Sequence, residues 1–172
     1  MPQPPLLPSE ALARVTRLAK FDGLCVLVLA TLFALSAAAI RSFPLTAIGL
    51  LAAGAGALEL HGVALLRQGE PRGMRWLIAS QPLLLMVILT YAALRLWLLD
   101  VHQIPDAMRA LLAANAAQLQ LTVDEFMIAL NRVMAAAVAL AGLGFQGGMT
   151  VYYLRRRKSV EAALRRIDSQ SD

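Results

Sequence analysis

The chain has 172 residues, 59% of them hydrophobic and only 16% charged, with a mean hydropathy of +0.63. A soluble domain of this length has too little interior to hide so much apolar surface, which points to an integral membrane protein. Its net charge of +5 comes from fourteen Arg and two Lys that flank apolar runs; there they act as topology determinants and anionic-lipid contacts, and nucleic-acid binding is not expected. The single cysteine, Cys25, excludes an intrachain disulfide and a Cys metal cluster.

Residues 1–22 form the first element. Ser9 is placed to cap a helix running to Lys20, with Leu12, Val15 and Leu18/Ala19 on one face and Arg14, Arg17 and Lys20 on another. That pattern predicts an amphipathic helix on the cytoplasmic leaflet, its cations against lipid headgroups. The first apolar span follows at about 24–40. Basic residues, then Leu24–Leu35 and a Ser-Ala-Ala-Ala run, also fit a cleavable signal peptide. A chain that starts at Met1 is expected to keep this segment, and it counts as a span.

Three more spans are expected at about 45–66, 76–99 and 133–154, each close to the roughly 20 residues that a bilayer needs. The four form a transmembrane domain over 23–154. An outer connection at 100–131 carries a short helix starting near Pro105, with Met108, Leu111/Leu112 and Leu119 at helical spacing. Thr122-Val-Asp-Glu125 matches a capping box, so the fourth long helix starts near Val123. A basic tail, 155–172, opens with Arg155, Arg156, Arg157 and Lys158, and Val160, Leu164 and Ile167 predict a further helix. Arg and Lys are concentrated in the N-terminal arm, the 67–75 connection and the tail, which places both termini in the cytoplasm. The fold expected is all-α, with four transmembrane helices and the cytoplasmic membrane of a bacterium as its location.

Polar residues inside the spans locate any function. Arg67–Gly73 is a tight turn, so the second and third spans form an antiparallel hairpin. Counting outward from residue 70 sets Glu59 level with about residue 81 and His61 with about residue 79, beside Ser80 and Gln81; Pro82 removes a helical hydrogen bond there. Gln146 precedes Arg155 by nine residues and falls at a similar depth. Glu59, His61, Ser80, Gln81 and Gln146 thus share one inner layer. Glu59 lies on a stripe of small residues and faces another helix. Two longer stripes, Gln81/Tyr91/Arg95 and Arg132/Gln146/Tyr153, complete the pattern, and Arg95 can pair with Asp100 or Asp106. Gly144-x-x-x-Gly148 is a possible helix-packing motif.

Glu59 and His61 point about 200° apart on a helix and cannot share a metal, and His102 is too distant for a bis-His haem. Ser80 near His61 and Glu59 is weak evidence for a catalytic triad, since helix-packing hydroxyls are common. No cofactor is expected. The first expectation is an oligomeric channel or small transport protein whose pathway uses these stripes, with Glu59 as its ionisable element. The second is a non-catalytic accessory or scaffold subunit, its polar layer fixing helix packing. An intramembrane enzyme ranks third. The partners expected are the bilayer, with anionic lipid on the cytoplasmic side, and further copies of the chain or another membrane subunit.

Overall fold

The structure is a computed structural model, and it describes residues 8–97 and 106–171. Five helices are described: α1 Pro8–Ala39, α2 Phe43–Arg67, α3 Gly73–Trp97, α4 Asp106–Gln118 and α5 Val123–Ser171. All but α4 are long and apolar enough to cross a membrane. Their outward faces carry large apolar side chains such as Phe21, Leu29, Leu35, Val133 and Leu140, as an exterior in contact with lipid requires.

The joints follow the local sequence. The α1–α2 turn places Arg41 in the left-handed region at φ 56°, with its amide bonded to Ala38 and that of Ser42 to Ala37. After α2, Gly69 takes φ 84°, while its amide bonds Leu66 and the Glu70 amide bonds Leu65. This is a Schellman end, where glycine meets the positive φ without steric cost. At α5 the capping box forms. Thr122 N donates to Glu125 Oε2 at 2.9 Å, and Glu125 N donates to Thr122 Oγ1 at 3.2 Å.

The chain divides into two compact units, residues 1–87 with 143–172, and residues 88–142. In the first, α1 and α2 pack through their smallest residues. A Cβ on Gly56 would lie 2.8 Å from Leu27 N and 2.9 Å from Gly23 O, and one on Gly49 would lie 2.7 Å from the Ala34 Cβ. Gly62 and Gly73 bring α2 equally close to α3: a Cβ on Gly62 would lie 2.9 Å from Gly73 O. The core gathers Val15 and Ala19 of α1, Val63 and Leu66 of α2, Met74 and Leu77 of α3, and Met149, Tyr153, Val160 and Leu164 of α5.

Two segments differ from the sequence expectation. Residues 8–39 form one helix with no break near residue 20, and the stripe Ala11, Val15, Ala19 is buried against protein rather than laid on a leaflet. The tail is likewise no separate helix. From Thr150 onward α5 meets no Gly or Pro, and Val160, Ala163 and Leu164 are buried. Each apolar stripe is shorter than a membrane span, and burying the two in one core removes both from water.

In the second unit, Asn131 Nδ2 donates to the Arg95 carbonyl at 2.9 Å, and Arg109 pairs with Asp124 at 2.8 Å. Leu111 of α4 and Leu119, just past its end, are exposed; Pro105 and the Met108 side chain lie outside what is described.

Candidate functional site

Each of the four long helices sends one polar side chain to the same place in the first unit. Glu59 on α2 is central. Its neighbours along the buried stripe are Gly56 and Gly62, whose missing side chains let α1 and α3 approach on either side. Tyr153 of α5 donates its hydroxyl to Glu59 Oε1 at 2.6 Å, and Gln81 Nε2 of α3 donates to the same oxygen at 3.1 Å. Asp22 of α1 lies near Glu59 and Gln81, and its Oδ2 is buried without a described hydrogen-bond partner. Exposure is 1% for Glu59, 1% for Gln81, 0% for Tyr153 and 9% for Asp22. A buried carboxyl is costly unless its oxygens find donors, and Glu59 finds two. Because those donors come from different helices, the bonds tie α2 to α3 and to α5.

The inner layer read from the sequence is only partly brought together. Ser80 is buried beside Gln81; its Oγ accepts from Gln81 Nε2 at 3.5 Å and donates to Leu77 O at 3.0 Å in its own helix. Gln146 is buried too; Thr150 Oγ1 donates to its backbone carbonyl at 2.7 Å, and no described hydrogen bond reaches its side-chain Oε1. His61 stands outside the layer. It is exposed and meets Trp76 edge-on at 5.4 Å between ring centroids. The triad suggested by Ser80, His61 and Glu59 is therefore not assembled.

In the second unit, Tyr91 is half-buried, and Arg95 and Arg132 are exposed. Arg132 lines a groove of about 700 Å³ with Trp97, Asn131 and several alanines. Asp100 and the Asp106 side chain, the partners suggested for Arg95, lie outside the described residues.

Arg14, Arg17 and Lys20 are exposed on α1, away from its buried stripe. Arg155 and Lys158 are exposed on α5, Arg156 lies 5.9 Å from the Tyr152 ring centre, and Arg157 pairs with Glu161 at 2.8 Å.

Asp22 was missed in the sequence as a member of the cluster, where it reads as the polar edge of the first span. A signal was present: Ala11, Val15, Ala19 and Asp22 succeed one another at helical spacing on one stripe. Tyr153 was visible in a stripe, without indication that its hydroxyl turns toward Glu59. Among the described residues, no group of three or more His, Cys, Asp or Glu side chains is placed to hold a metal ion. Chemically, the cluster joins helices through side-chain hydrogen bonds. No protein-family model, curated protein or solved structure matches this chain.

Proposed function

We infer that this protein is a non-catalytic scaffold or accessory subunit of a membrane assembly, its four spans fastened by an interior polar clasp. The observation that carries this reading is the burial of Glu59, Gln81 and Tyr153 against one another, with Glu59 Oε1 occupied by two side-chain donors. A permeation pathway needs polar groups facing water; this arrangement spends them on other helices. The cytoplasmic placement of both termini, in a bacterial cytoplasmic membrane, belongs to the same proposal and rests on the arginine distribution.

Assembly with further copies or with another membrane subunit draws support from α5. A Cβ on Gly144, Gly147 or Gly148 would meet nothing within 4 Å, which leaves a small-residue surface for a helix of another molecule. The transport reading has one supporting observation. Asp22 Oδ2, Gln81 Oε1 and Gln146 Oε1 are buried acceptors without a described partner, a set that suits a transient proton or cation.

Solubilisation in mild detergent followed by cross-linking and size analysis tests the scaffold proposal. Wild type is expected as an oligomer or with a stoichiometric membrane partner. Gly144→Leu/Gly148→Leu is expected to release it with its melting temperature unchanged. A monomer without partners in native membranes would overturn the proposal.

A further inference from the structure

Outside the apolar spans, the α2–α3 turn and the C-terminal part of α5 enclose a crevice of about 240 Å³, the liquid volume of roughly eight water molecules. Arg72 and Arg75 line it from the turn and from the first residues of α3, and Arg157 and Arg165 line it from α5. Glu161 is the lone carboxylate in the lining, and it already pairs with Arg157 at 2.8 Å. Among the described residues that leaves three positive charges uncompensated. Among the described residues, Arg72, Arg75 and Arg165 have no carboxylate within ion-pair distance.

We propose that this crevice is a binding site for a phosphorylated anion carrying at least two negative charges. Four guanidinium groups around one small volume repel one another, and an anion between them reverses the sign of that interaction. Guanidinium presents a planar fork of N–H donors matching the geometry of phosphate oxygens, whereas an ammonium offers only a point charge. Here all four cations are arginines.

The backbone beneath them is fixed. The turn is closed by the Gly69 Schellman bonds, Gly73 packs on Gly62, and Leu164 is buried in the core. An anion therefore meets a preformed site, and only side chains need to be ordered on binding. A topology signal alone requires positive charge near the membrane; it does not require arginines from two separated segments to converge on one cavity.

Arg157 and Arg165 lie three and eleven residues past Leu154, where the apolar run of α5 ends, so roughly 4 to 16 Å beyond it by helical rise. That range reaches lipid headgroup phosphates on one side and dissolved phosphates on the other. The shared chemistry is the phosphate dianion or diphosphate.

The test uses the full chain in phosphatidylcholine nanodiscs, titrated with pyrophosphate against chloride at matched ionic strength. In parallel, native mass spectrometry measures phosphatidic acid, a phosphomonoester lipid, retained from mixed nanodiscs. Saturable pyrophosphate binding without lipid retention identifies a soluble phosphate as the ligand. Phosphatidic acid retention that pyrophosphate displaces identifies a lipid headgroup. In either case Arg72→Gln/Arg165→Gln is expected to weaken binding roughly tenfold or more. Arg14→Gln/Arg17→Gln, with the same loss of charge elsewhere, is expected to change it by less than about twofold. Should the crevice pair fail to fold, Arg72→Lys keeps the charge, loses the fork and is expected to weaken binding severalfold. Absence of saturable binding in both arms, equal losses in the two double variants, or undiminished binding by Arg72→Lys would overturn the proposal.

Discussion

Tyr153 donates its hydroxyl to Glu59 Oε1 at 2.6 Å, joining α5 to α2 between residues 94 positions apart. Both side chains are excluded from solvent, so removing one leaves the other without its partner. Interhelical hydrogen bonds in membranes contribute on average less than 1 kcal/mol, because the dispersed helices also find partners. Tyr153→Phe is therefore expected to cost about 1 kcal/mol. Glu59→Leu strands both the Tyr153 hydroxyl and the Gln81 amide, and about 2–3 kcal/mol is expected. Thermal unfolding in detergent measures both, and a double-mutant cycle should give a coupling of about 0.5–1.5 kcal/mol. Strictly additive losses would show that the bond contributes nothing.

The glycines make a contrasting pair. Gly56 faces the α1 backbone at distances no Cβ tolerates, whereas Gly144 faces open space. Gly56→Ala is expected to destabilise the protein by about 1–3 kcal/mol. Gly144→Ala is expected to leave the melting temperature unchanged or slightly raised, since alanine favours helix over glycine. Equal effects at the two sites would contradict the α1–α2 packing.

The capping box carries a pH signature. Glu125 precedes the apolar part of α5, and the hydrogen bonds from the Thr122 backbone and side chain hold its carboxyl below its ordinary value of 4.5. A depressed folded-state value means that the stabilisation is fully present above pH 4.5 and is lost as pH falls through the lowered value. An NMR titration should place the Glu125 midpoint below 4.5 in wild type and closer to 4.5 in Thr122→Val. Identical midpoints would exclude the box as the cause.

Burial of the tail distinguishes a folded extension from a helix lying on lipid. Val160 is fully buried in a core with Val15 and Leu66. Val160→Asp is expected to cost about 2–4 kcal/mol through an unpaired buried carboxyl. Ala162→Asp, on the exposed side, is expected to be near neutral. Similar melting temperatures would contradict the burial of Val160 in the core.

The four long helices, the start of α5 and the pairing of Glu59 with Gln81 were legible because each rests on a local pattern: apolar length, a four-residue cap, or register counted from a tight turn. Asp22 was not, because depth assignment stops at the apolar edge and the sequence does not reveal that α1 continues inward as protein core. That His61 faces away from Glu59 was legible, because a two-residue offset turns it about 200° round the helix; its contact with the Trp76 ring was not. The burial of the two terminal stripes against one core was illegible too, since an amphipathic helix on lipid and one on protein have the same periodicity.

In the function proposed above, the Glu59 layer fastens helices rather than lining a path for solutes. Proteoliposome flux of protons and small monovalent ions, wild type against Glu59→Gln, tests it most directly when paired with the melting temperature of each. The prediction is that neither protein raises flux above protein-free vesicles and that Glu59→Gln melts at a lower temperature. Wild-type flux abolished by Glu59→Gln at an unchanged melting temperature would contradict it.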